Sequence, residues 1–256
     1  MLKQIKATTP SLRHKIKLNL PVNKLINKQL SIIKKKTGGR NFLGKITTRH
    51  IGGGHKQRIK LLDNNIIGLY TQSKVIDFIY DSNRSNYLSL LRTNNNKEYL
   101  KLALEGQKLG DIVYGRYFPS KKVYNLGETT FIQNIPIGMK ISNIELKPNT
   151  GFKLAKAAGV FATIIKHDNN FTTIKLASKK TILIPFDSLC TLGINANINH
   201  HNKILGKAGV KRWLGIRPTV RGEAMNPIDH PHGGETSGGV KLKTIYGKIA
   251  KFIKTK

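Results

Sequence analysis

Residues 205–239 read LGKAGVKRWLGIRPTVRGEAMNPIDHPHGGETSGG, and no helical or strand period runs through them. Gly206, Gly209, Gly215, Gly222, Gly233, Gly234, Gly238 and Gly239 interrupt every candidate element, while Pro218, Pro227 and Pro231 remove backbone donors and fix φ. The stretch therefore reads as an extended, turning segment. Cations recur along it at Lys207, Lys211, Arg212, Arg217 and Arg221, with Trp213 between them. A guanidinium pairs with phosphate or stacks on a base, an indole stacks on an unpaired base, and glycine lets backbone amides approach phosphate. Folded RNA suits that mixture, and none of it requires a catalytic group.

The same residues, GKAGVKRWLGIRPTVRGEAMNPIDHPHGG, closely resemble the signature of the bacterial-type large-subunit ribosomal protein two family. Further landmarks are similar too: ATTPSLRHKIK at 7–17, GGRNFLGKITTRHIGGGHKQ at 38–57, and YDSNRS at 80–85. The likeness runs from about Ala7 to Gly239, and no presequence is expected ahead of it. It implies an all-β fold, an OB-like barrel followed by an SH3-like barrel, with long basic irregular N- and C-terminal extensions. It also implies large-subunit ribosomal RNA as the ligand. The family's loop DHPHGG lies near the peptidyl-transferase centre, and His230 matches a histidine once proposed to assist peptide bond formation. Only the location is carried over. Two departures stand out: the family usually continues HPHGG with a third Gly and then Glu-Gly, whereas Glu235-Thr236-Ser237 follows here, and the family's long basic tail is short.

Charge supports two modules with arms. Residues 1–62 hold 16 Lys or Arg and no acid, residues 63–193 hold 17 against 10, and residues 194–256 hold 12 against 3. A net charge of +32 makes an isolated compact chain repel itself, so a polyanion is the expected partner. No apolar run approaches the roughly 20 residues of a membrane span, and no membrane insertion is expected. The single Cys190 excludes an internal disulfide and reads as a small buried apolar residue.

Taken in order, residues 1–58 form a basic RNA-binding extension. There Arg40, Arg49, His50, His55 and Lys56 alternate with the triplet Gly52, Gly53 and Gly54. The triplet with Lys56 lacks the GK[ST] ending of a nucleotide loop, so a flexible basic loop on RNA is preferred. Residues 59–122 carry β-rich runs at 59–62, 74–80, 87–92, 97–104 and 112–117, separated by Asn- and Gly-rich turns, the expected OB-like barrel. By the resemblance, Arg84 faces RNA. Residues 123–195 repeat the theme at 134–146, 159–166, 171–178 and 181–186, the expected SH3-like barrel, with Lys147, Lys153 and Lys156 on a loop. Residues 196–256 are a glycine-rich basic extension whose last stretch, VKLKTIYGKIAKFIKTK, is expected to order only on binding.

Asp229-His230-Pro231-His232 is the cluster that invites catalysis, as a metal pair joined by Glu235, His200 or His201, or as a carboxylate-supported base. No nucleophile stands at a recognised spacing, so both histidines, with Asn226, are assigned to RNA. No cofactor and no metal are expected. The rival functions are a general architectural DNA or RNA binder and a metal-dependent nucleic-acid enzyme. The preferred reading is a structural constituent of the large subunit, with neighbouring ribosomal proteins, small-subunit RNA at the subunit interface and transfer RNA as further partners. Abundant Asn, Ile and Lys, as AT-rich codons produce, place it in the mitochondrial matrix, with a plastid or the bacterial cytoplasm as alternatives.

Overall fold

The structure, a computed structural model, describes residues 2–23, 29–63, 72–115, 124–234 and 241–249. Short β-rich runs between turn-formers give sixteen strands and one α-helix among them, so the chain is all-β. It divides into two compact units: residues 1–35 with 56–208, and residues 36–55 with 209–256.

The first unit opens with two ribbons. β1 (Leu2–Gln4) pairs antiparallel with β2 (Ile16–Leu18), and β3 (Ser31–Lys34) with β4 (Gln57–Lys60). The run expected at 59–62 as the first barrel strand is therefore β4, spent on a ribbon with β3. A four-stranded antiparallel sheet follows, ordered β7-β6-β5-β8, from β5 (Gln72–Ile79), β6 (Leu88–Thr93), β7 (Glu98–Leu102) and β8 (Ile112–Tyr114). The expected runs 74–80, 87–92 and 97–104 coincide with it, while the last ends at Tyr114 and residues 116–117 lie outside those described. Its hairpin Thr93–Lys97 turns at Asn96, whose φ of 57° an Asn tolerates better than a branched residue. Val75, Phe78, Leu91, Tyr99, Ala103, Val113 and Ala196 form its core.

A six-stranded sheet comes next, ordered β15-β14-β13-β10-β16-β9. It uses β9 (Thr129–Phe131), β10 (Lys140–Ser142), β13 (Ala162–His167), β14 (Phe171–Lys175), β15 (Thr181–Pro185) and β16 (Leu189–Leu192), and β11 (Ile144–Glu145) with β12 (Phe152–Leu154) makes a further ribbon. The expected single run 134–146 is broken in two, because Pro136 cannot donate to a ladder and Asn143 turns the chain at φ 49°. β9, β12 and β16 were not legible as strands, and β12 places Lys153 on a strand within the expected loop. Ile132, Ile135, Ile141, Ile144, Ile164, Ile174 and Ile184 are almost wholly buried around Cys190, whose thiol titration is pushed up by that burial and then by Glu145. The buried Glu145 carboxylate accepts the Gly151 and Leu189 amides at 2.9 and 3.2 Å, which offsets its desolvation.

The two sheets meet along a hydrogen-bonded seam. Glu105 N donates to Ile194 O, Ala196 N to Ala103 O, and Asn197 Nδ2 to Ser85 O at 2.6 Å. Lys101 lies in that seam, its ammonium 3.3 Å from Thr129 Oγ1 and 5.6 Å from the centre of the Tyr99 ring. Burial pulls its pKa down to about 8, an effect that nearby Asp63 only partly opposes. Between that value and the ordinary 10.5 the unfolded chain holds the extra proton, so stability rises with pH through this window. We expect Lys101→Met to stabilise the protein by up to about 3 kcal/mol at pH 7, with the gain fading by pH 10. Urea unfolding of both proteins at the two pH values measures it, and a gain that grows with pH would contradict the assignment.

Candidate nucleic-acid interface

Across residues 36–55 there is no acid, and residues 209–234 add four cations, Lys211, Arg212, Arg217 and Arg221, against Glu223 and Asp229. These two stretches, read from sequence as separate arms, are packed together in the second unit. Their junction is backbone on backbone. Gly52 N donates to Gly215 O at 2.7 Å, His55 N to Trp213 O at 2.9 Å and Arg217 N to His50 O at 3.0 Å, with a bridge between Ile51 and Ile216. Gly54 has φ 61°, and a Cβ there would stand 2.6 Å from Gly215 N and 2.7 Å from Trp213 O. The triplet expected to lie as a flexible loop on RNA thus serves first to let two like-charged segments come into contact.

The expectation of a stretch without helix is corrected at one place. α1 (Ala208–Trp213) forms a turn and a half, because Ala208, Val210, Lys211, Arg212 and Trp213 tolerate helical geometry and only Gly209 opposes it. Lys211 and Arg212 fall in its last turn, where cations suit the carbonyl end, and Trp213 is 60% exposed at its terminus. Beyond it the described residues as far as Gly234 are irregular as expected, apart from the Ile216 bridge and a 3-10 turn at Gly222–Ala224.

Of the predicted site residues, the second unit brings together Arg40, Arg49, His50, Gly52, Gly53, Gly54, His55, Arg212, Trp213 and Arg217. Arg40 bridges Ile46 across a hairpin, His50 sits at φ 62° with its Nδ1 3.3 Å from Pro218 O, and Lys36 Nζ donates to His55 O. Arg221 is exposed, with Glu223 3.9 Å away, a separation at the edge of ion pairing. Lys56, Arg84 and Lys207 belong to the first unit. Arg84 is turned inward: its guanidinium pairs with the buried Asp81 carboxylate at 2.5 Å and reaches Lys60 O at 3.4 Å. Beside it, Asn83 Nδ2 donates to Arg58 O and Gln57 Nε2 to Ser82 O, so the YDSNRS loop fastens β4 to the sheet.

The histidine pair is arranged for support. His230 Nδ1 accepts the His232 amide at 3.0 Å, the rings stand 4.9 Å apart at 57°, and His232 Nε2 accepts the Lys243 amide at 3.0 Å. The His230 ring lies on Gly222, where a Cβ would be 2.5 Å from it. Asn226 O receives the Asp229 and His230 amides, closing the loop. Asp229 makes no ion pair with either ring, and no three metal-ligating groups gather among the described residues. Glu235 and the altered continuation Thr236-Ser237 lie outside those residues. The last basic stretch holds a turn at 243–249, with Thr244 N donating to Lys248 O, where order was expected only on binding.

Sequence reasoning missed Phe42, 94% exposed at the tip of the 39–48 hairpin, with Leu43 beside it. Asn41 Oδ1 accepts the Leu43 and Lys45 amides and fixes that tip. Two large apolar side chains inside an acid-free run were the available signal.

The chain matches the family model described as Ribosomal Proteins L2, RNA binding N-terminal domain, over residues 27–115, and that described as Ribosomal Proteins L2, C-terminal domain, over residues 125–249. It is similar to the large ribosomal subunit protein uL2 of Wolbachia pipientis subsp. Culex pipiens (strain wPip), at 41% identity over 100% of this chain and 94% of the relative. The protein of the same name from Shewanella denitrificans is 39% identical over 98% and 92%. Both relatives are bacterial, so the mitochondrial expectation gains no support from them: amino-acid content reports codon bias rather than compartment.

The packing predicts unequal glycines. Gly54→Ala should break the junction and speed hydrogen exchange at the Gly52 and His55 amides at least ten-fold, whereas Gly53→Ala, with nothing within 4 Å of the added carbon, should change it less than two-fold. Equal effects would show that the junction does not depend on close backbone approach.

Proposed function

This chain belongs to the ribosomal protein L2 family, and on that premise we propose that residues 36–55 and 209–234 act together to brace large-subunit ribosomal RNA around the peptidyl-transferase centre. The chain is a structural, RNA-binding constituent of the large ribosomal subunit, and no helix among its described residues is long and apolar enough to cross a membrane. The observation that carries the finer reading is the convergence of two basic segments into one unit, where the cations stand on a hydrogen-bonded backbone. Fixed cations neutralise phosphates that must pack closely, and cost less ordering on binding than free arms would.

The RNA performs the chemistry in this reading. The lone pairs of His230 Nδ1 and His232 Nε2 are taken up by backbone amides, which supports a role in shaping the loop. Placement of transfer RNA and contact with small-subunit RNA are assigned to the same surface by its kinship. The boundaries proposed for the modules are 1–58, 59–122, 123–195 and 196–256. The ribosome is bacterial in type, and sedimentation of the native protein with mitochondrial or with bacterial ribosomes assigns the compartment.

Ultraviolet crosslinking of the native protein in cells tests the brace. Peptides from 36–55 and 209–234 should both join RNA of the catalytic region, and crosslinks scattered over unrelated RNAs would favour a general binder. With about six to ten phosphates neutralised, log affinity for the ribosomal RNA should fall with log salt at a slope of several units. His230→Gln should leave the rate of peptide bond formation in assembled ribosomes within about three-fold, since general acid–base catalysis would be worth 10²–10⁴-fold.

A further inference from the structure

Within the second unit, a groove of about 300 Å³ is lined by Arg40, Arg49, His50 and Arg217 together with Ile46, Ile51, Pro218, Val220 and Met225. No carboxylate lines it. That volume is at the lower end of the roughly 300–1,000 Å³ typical of small-ligand pockets. The walls are fixed by the backbone: Arg40 bridges Ile46, Thr47 and Thr48 donate to Gly39 O at 2.9 and 3.0 Å, and Arg217 N donates to His50 O. Ile46, Ile51 and Val220 are 62%, 44% and 54% exposed, an apolar surface left open beside three arginines.

We propose that this groove receives one nucleotide of the large-subunit RNA, turned out of its stack, with its base on the Ile46, Ile51, Val220 and Met225 surface and its flanking phosphates on the three guanidiniums. The proposal rests on the RNA-binding reading above and narrows it to a single subsite. The chemistry selects the ligand. Three guanidiniums without a carboxylate favour an anion of more than one charge, the aliphatic side chains favour an apolar body beside it, and a nucleotide in a chain joins the two. The His50 Nδ1 faces Pro218 O and is spent on the wall, so the polar discrimination offered to the base is small and the groove should accept its occupant mainly by position and stacking.

The test uses the full chain bound to large-subunit ribosomal RNA. Zero-length crosslinks from peptides covering 46–51 and 218–225 should converge on the same nucleotide, and its base edge should change reactivity towards base-specific chemical probes when the protein binds. Val220→Trp fills the groove from an exposed position and keeps all the cations. It should lose that crosslink and weaken binding roughly ten-fold, about the worth of the apolar contact of one base, with the salt slope unchanged. Ile46→Glu, which places a carboxylate among the guanidiniums, should also lose the crosslink and weaken binding by repelling phosphate, and should lower the salt slope by about one. Native-level binding with no converging crosslink would overturn the subsite while leaving the RNA-binding reading in place. Failure of the unaltered chain to bind the RNA would overturn the reading beneath it.

Discussion

Two segments that both carry positive charge and lie more than 150 residues apart in sequence are held together by main-chain contact at Gly52–His55 and Trp213–Arg217. Coulomb repulsion opposes this pairing, and side chains would only keep the strands apart. Glycine removes the steric obstacle: the backbones approach until amide and carbonyl pair at 2.7–3.0 Å, hydrogen bonds that work against the repulsion, and an Arg212 guanidinium nitrogen lies against Gly52. The exposed Trp213 and the groove beside His50 both depend on that contact.

The first unit supplies ordinary stability. Its isoleucine-rich core around Cys190 and the aromatic and aliphatic core around Tyr99 bury apolar surface in the usual way, and the seam between the sheets is largely hydrogen-bonded backbone. Charge is managed there by satisfying it locally. Glu145 is met by two amides, Asp81 by Arg84 and the Asn83 amide. In the second unit charge is instead left exposed, as suits a surface whose neutralising partner is another molecule.

The resemblance and the charge pattern made much of the function legible. An acid-free start, a lone cysteine and the ordered motif at 205–239 excluded disulfide and multi-cysteine zinc scaffolds and pointed to RNA, and the family comparison agrees. Individual side chains were less legible. Arg84 looks the same in sequence as Arg49, yet one is turned to a buried carboxylate and the other lines an open groove. Cation spacing could not separate them, because the partner of Arg84 is recognised as buried only once the sheet has formed.

By itself the sequence determined the β class, most strand positions, the burial of Cys190 and the nature of the ligand, since these follow from local period, turn residues and net charge. It also marked the glycines without saying what they were for. Tertiary structure decided that the strand at 57–60 joins a ribbon, that 208–213 is helical, that the two arms form one unit, and that Ile46, Val220 and three arginines share a groove. Apart from that short helix, which local propensity permits, each of those outcomes depends on which distant segment comes within hydrogen-bonding or van der Waals range, and no local pattern of residues encodes that distance.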